Sequence, residues 1–196
     1  MDTSLSKFIR SGQVFLVVSI SLFLPSYRAP ENFQDRLSDA AISIIDPGVQ
    51  YDPSYRVINY PGGDVPSGTG VCTDVIIRAY RKLGIDLQVE VHKDITAHFH
   101  LYPTMFGLKK PDTNVDHRRV PNLMVFFKRN GRSLACSQLS EDYHPGDIVC
   151  WNLYGGVNHI GLVVNKLSAD HQRFLVVHNI GGGQVMEDML FKYKII

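Results

Sequence analysis

Past residue 145 the apolar residues change period, and that change decides the class of fold. "GDIVCWNL", "NHIGLVVNK" and "RFLVVHNI" are short runs rich in β-branched and aromatic side chains, parted by Gly, Asn, Asp and Ser, which is the pattern of strands. Earlier in the chain the apolar residues recur at helical spacing. In "FQDRLSDAAISIID", Leu37, Ala40, Ala41, Ile44 and Ile45 share one face, and "DPG" ends the segment. From Cys72 to Leu83 the stripe is Val75, Ile76, Ala79, Tyr80 and Leu83, with Gly84 as a stop. "VEVHKDITAHFHLY" reads as another helix, broken by Pro103, and "LMVFFKRNG" as a short one ended by Gly131. "KKPDTNVDHRRVPN" reads as loop, and a closing strand is expected around Met189 to Ile196. Helices first and strands later predict an α+β fold, with helices packed on one face of an antiparallel sheet of about five strands.

The 196 residues show no internal repeat or low-complexity tract and suit one domain, expected over residues 31–196. With 44% apolar residues the chain can bury a core. A net charge of +1 argues against an obligate nucleic-acid binder, which needs a basic excess. Lys7 and Arg10 precede "VFLVVSISLFL", an uncharged apolar run from Val14 to Leu24. That order reads as an export signal, and the run is shorter than the roughly 20 apolar residues of a membrane span. Ala29 is small, but Tyr27 is not, and Pro30 follows. Residues 1–29 are therefore read as a cleaved signal peptide or a retained anchor that tethers the protein to a membrane. A buried helix of the domain is the plainer alternative. Export places the mature protein outside the cytoplasm.

There are three cysteines. In an oxidising compartment Cys136 and Cys150 could pair and leave Cys72 free, or Cys150 could be a core thiol on a strand. Cys72 follows "SGTGV" and opens a helix. Helix N-terminal amides stabilise a thiolate, and Gly68, Thr69 and Gly70 give substrate and an oxyanion room to approach. A core-facing thiol fits the position equally well. A thiol nucleophile needs a base. Of eight histidines, His159 starts an apolar strand and His178 ends the next. A hairpin joined by "NKLSADHQR" would set the two side by side. Cys72 would then attack, His159 take its proton, and His178 hold the imidazole tautomer. Such a thiol should alkylate ahead of Cys136 and Cys150.

The order of helix-start cysteine, "GDIVCW", "NHIGLVV" and "LVVHN" resembles the NlpC-type (NlpC/P60) branch of the papain-like cysteine peptidases and amidases. Cys72 falls on the nucleophile, His159 on the base and His178 on the third position. Gly62-Gly63 is similar to the Gly-Gly that precedes the nucleophile there. The oxyanion support that the resemblance implies would come from Tyr60 or Tyr51, with Thr73 beside the nucleophile. The chain beyond about residue 40 also resembles a bacterial domain-of-unknown-function family, DUF1287, through "YDPSYRVINYPGGDVPSGTGVCTDVIIRAYRKLGIDLQ", "DHRRVPNL", "PGDIVCWNL" and "LVVHNIGGG". It departs from the NlpC pattern at Val71-Cys72-Thr73-Asp74 and in an insertion of roughly residues 86 to 140.

The resemblance implies a papain-like core, no cofactor and no metal, and hydrolysis or transfer at an amide of a cell-wall peptide, in the periplasm or cell envelope of a bacterium. Asp74, Arg78, Asp116, His117, Arg118 and Arg119 could read the charged ends of such a peptide; a structural ion pair or solvated charge is the plainer assignment for each. Three other functions compete. One is metal-dependent hydrolysis through His92, His98 and His100 or through Asp147 and His159, for which the chain lacks H-E-x-x-H and C-x-x-C. The others are a thioesterase or acyltransferase on lipid or acyl substrates, and a non-catalytic envelope-binding module.

Overall fold

The computed structural model describes residues 32–104 and 109–196. The signal-like segment 1–29 lies outside the described residues. No helix among the described residues is long and apolar enough to cross a membrane.

Helix α1 (Phe33–Ser43) opens where Asn32 Oδ1 accepts the Asp35 amide at 2.8 Å, which satisfies one of the donors a helix start leaves open. It buries Leu37, Ser38, Ala40 and Ala41. Ile44 and Ile45 fall beyond its end, where the chain turns into a bridge between Asp46 and Gln184. Two short strands, β1 (Gln50–Tyr51) and β2 (Thr69–Gly70), pair in parallel and close off the long loop between them. Helix α2 (Cys72–Lys82) follows at once. Gly84, with φ at +81°, takes the left-handed turn that ends it. Helix α3 (Leu87–His98) starts two residues before the sequence reading. Asp86 caps it, its carboxylate accepting the Gln88 amide. A 3-10 turn, Phe99–Leu101, carries it on towards Pro103. Helix α4 (Val120–Asn130) also starts earlier than expected. Pro121 lies in its first turn, where a missing N–H costs nothing, so that proline opens the helix rather than belonging to a loop.

Five strands form the main sheet: β3 (Ile148–Asn152), β4 (Asn158–Leu167), β5 (Phe174–His178), β6 (Val185–Glu187) and β7 (Lys194–Ile195). All pairings are antiparallel, in the order β6-β5-β4-β3-β7. The expected closing strand shrinks to β7, and β6 was not foreseen. Its three residues sit behind "GGG", too short to show an alternation.

The helices cover one face of the sheet. Ile160, Leu162, Val164 and Val177 pack there with Leu37, Val75, Ile76, Val91 and Leu123. On the other face Val149, Trp151, Val163 and Val176 pack under Tyr143, Met189, Leu190 and Ile195. Met189 and Leu190 thus form a lid on the sheet instead of a strand. Strand β4 is central and buried on both faces, which is why "HIGLVV" reads as an unbroken apolar run.

Candidate active site

Strand register brings the two histidines together. Leu162 pairs with Val177 and Val163 with Val176, so His178 arrives opposite Gly161, one residue pair beyond, and diagonal to His159. A Cβ at Gly161 would lie 2.7 Å from Val176 Cγ1, 3.1 Å from His178 Cβ and 3.2 Å from Trp151. Only glycine leaves that space. His159 Nε2 lies 3.1 Å from His178 Nδ1, with the rings nearly perpendicular. His159 also packs on the ring of Trp151, its cross-strand partner, and Trp151 is itself pinned by an Nε1–H bond to the Leu190 carbonyl at 2.9 Å. His178 Nε2 lies 3.2 Å from Glu187 Oε2 on β6. The sequence reading did not single out Glu187 or Trp151. The pairing of Glu187 with Val176 puts it on the His178 side of the sheet, but that register is invisible without knowing that β6 exists.

Cys72 sits at the start of α2, buried against this sheet. The backbone amides of Ile160, next to His159 on β4, of Thr73 and of Cys72 itself favour the thiol's anion. Among the described residues no hydrogen bond joins Cys72 directly to His159: Cys72 packs with Ile160 on the helix-covered face, while His159 stacks on Trp151 on the other face of the strand. Tyr51, paired with Gly70 on the neighbouring strand, is the tyrosine at the thiol: burial first, and then Cys72, push its hydroxyl up to about 12. Tyr60 instead packs edge-on against His92. Thr73 is buried, and its hydroxyl has no partner. Gly62 and Gly63 do not frame the thiol. Their amides bond to Asp86 and Gln88 at the start of α3, and Gly70 is the glycine beside the helix that Cys72 opens.

Asp74 and Arg118 are committed to each other. Arg118 Nε and Nη2 each reach an Asp74 carboxylate oxygen at 3.0 Å, and both side chains are at most 5% exposed. Asp74 Oδ2 also accepts the Val71 amide at 2.7 Å, capping α2. The pair fixes the helix start that carries Cys72, and of the two assignments open for these residues, substrate contact or a structural ion pair, the structure shows the ion pair. Arg78 is likewise bonded to Asp64, Gln184 and Thr69. Arg119 faces Asp116 and Asp112. Asp116 is buried and accepts from His92 Nδ1 at 2.8 Å, while His98 turns to Asp94, so the histidines weighed as metal ligands go separate ways. Among the described residues no group of three or more His, Cys, Asp or Glu side chains is placed to hold a metal ion.

A model of the family described as Domain of unknown function (DUF1287) matches residues 38–196, which include every residue of this site. The chain belongs to the DUF1287 family. It is 46% identical over 160 residues to "Uncharacterized protein YijF" of Escherichia coli (strain K12), covering 82% of this chain and 78% of that protein. No solved structure gives a significant match.

The electrostatics of this DUF1287 site differ from the expectation of a resting thiolate. Burial pushes the Cys72 thiol up to about 11, outweighing the amides that favour its anion. Burial, and then the neighbouring His178, push His159 down to about 3. Burial, and then Lys192, push His178 down to about 4. The resting pair is a neutral thiol and a neutral imidazole. All three cysteines are free, and Cys136 is exposed. The expected order of alkylation therefore reverses: iodoacetamide at neutral pH should modify Cys136 first. The Cys72 rate should climb about tenfold per pH unit without levelling off below pH 10, because the thiolate is the reacting form. Peptide mapping of a time course across pH checks this; a Cys72 rate that levels off near pH 7 would contradict it.

His117 is a third buried histidine, held down to about 4 by burial first. Each of the three has a folded value below the unfolded 6.5, so the unfolded chain takes up protons first as the pH drops. Stability should thus be full above about pH 6.5 and fall towards pH 4, by roughly 1.4 kcal/mol per pH unit for each histidine. Urea denaturation at several pH values measures the slope, and His117→Phe should flatten it.

Proposed function

We propose that this chain is an exported cysteine hydrolase with a papain-like, NlpC-type core that cleaves an amide bond in a cell-wall peptide. The observation that carries the reading is the 3.1 Å contact of His159 Nε2 with His178 Nδ1 on the strands against which the Cys72 helix start packs. That contact occupies Nε2 of His159, and in this reading Nδ1 is the nitrogen that serves the thiol.

In this reading the S–H proton passes to His159 Nδ1 as sulfur attacks the amide carbonyl, so no resting ion pair is needed. The tetrahedral oxyanion meets backbone amides at the start of α2 and the Tyr51 hydroxyl. The imidazolium gives its proton to the leaving nitrogen, the C–N bond breaks, and a thioester on Cys72 remains. Water, deprotonated by His159, attacks the thioester; the thiol returns and a carboxylate product leaves. His178 holds the His159 ring throughout. An amide in peptidoglycan suits the export signal read at the N-terminus, since that polymer lies outside the cytoplasm. The same segment, if retained, would tether the enzyme at the membrane.

Digestion of purified peptidoglycan tests the reading. Wild type should release fragments carrying a new amine and a new carboxylate, identified by mass, and Cys72→Ala should release none. Binding of peptidoglycan without release by either protein would make the chain an envelope-binding module instead.

A further inference from the structure

We propose that Glu187 is a positioning residue that fixes the tautomers of both buried imidazoles and so decides which nitrogen of His159 is free to act as the base. The catalytic consequence rests on the reading of Cys72 and His159 above; the tautomers follow from the contact geometry of two neutral rings.

A carboxylate only accepts hydrogen bonds, and a neutral imidazole carries one N–H and one lone pair. Glu187 Oε2 lies 3.2 Å from His178 Nε2, so that nitrogen carries the hydrogen. His178 is almost fully buried and is neutral at pH 7, so its Nδ1 carries the lone pair. The 3.1 Å contact between this Nδ1 and His159 Nε2 then needs a donor on the His159 side. His159 is neutral as well; with its hydrogen on Nε2, its Nδ1 is bare.

The reverse order fails at both ends. A hydrogen on His178 Nδ1 would set a lone pair against the Glu187 carboxylate. It would also place the His159 hydrogen on Nδ1, where it could not accept a thiol proton. One acceptor at the end of the chain thus sorts the protons along it. Glu187 suits that place because its side chain is 48% exposed. Its side chain reaches water while its carboxylate touches a histidine that is 1% exposed. It sits there because β6 pairs Glu187 with Val176, on the face that His178 shares.

The test is 15N NMR of the histidine rings in the full chain at pH 7, in which the two nitrogens of each tautomer are resolved. Wild type should show both His159 and His178 with the hydrogen on Nε2. Glu187→Ala should move hydrogen to Nδ1 in a measurable fraction of both rings. Glu187→Gln, which keeps an acceptor oxygen, should restore the wild-type pattern. Turnover of peptidoglycan peptide by Glu187→Ala should fall about 10- to 100-fold in kcat with KM little changed. An Nδ1–H form of either ring in wild type, or identical ring spectra in wild type and Glu187→Ala, would overturn the proposal. If Cys72 is no nucleophile, wild type turns nothing over, while the ring spectra still decide the role of Glu187.

Discussion

Cys72→Ala should lose turnover by a factor on the order of 10⁴ or more, with folding intact. The size follows from the proposed mechanism, in which Cys72 alone forms the thioester, so that removing it eliminates the covalent path rather than weakening it. The fold should tolerate the change because alanine keeps the helix start and removes only one sulfur from a buried site. His159→Ala should lose a comparable factor, and the double variant should be little worse than either single one, since nucleophile and base act as a unit. Cys136→Ser and Cys150→Ser should retain turnover. Steady-state rates and melting curves on the five proteins check the set. Losses that multiply in the double variant would show that Cys72 and His159 act separately.

Arg118→Ala should cost about 3–5 kcal/mol of stability, because it strands the Asp74 carboxylate without its partner in a buried site. The helix start should loosen with it, since Asp74 also caps α2 through the Val71 amide. Arg118→Lys should recover only part of the loss, as an ammonium cannot make the two parallel bonds of a guanidinium. Arg173→Ala, at an exposed pair with Asp188, should change little. Urea unfolding at pH 7 ranks these variants. Equal stability of Arg118→Ala and Arg173→Ala would mean that the buried pair does not hold the start of α2.

The difference between those two pairs shows where the sequence could be read and where it could not. Periodicity was enough for α1, α2 and the three long strands, because one buried face or a fully buried run leaves a direct trace. The meeting of His159 and His178 followed from a hairpin argument, since each marks the outer end of an apolar run. Asp74 and Arg118 are 44 positions apart, and no local pattern ties one to the other. The plainer assignment of an ion pair named the kind of contact but not the partner. Glu187 was hidden because β6 is three residues long. Glu187 matters only through the register of that strand. The protonation of the thiol was also missed: a helix start argues for a thiolate, yet burial, seen only in three dimensions, moves Cys72 the other way. Tyr51 and Tyr60 were equal candidates until the β1–β2 pairing set Tyr51 against Gly70.

The central claim is that Cys72 carries a thioester during turnover. Wild type should be mixed with a peptidoglycan-derived peptide, quenched in acid and mapped by mass spectrometry. The Cys72 peptide should bear the mass of the acyl half of the substrate, and hydroxylamine should remove it. Turnover with no adduct on Cys72, undiminished in Cys72→Ala, would contradict the account.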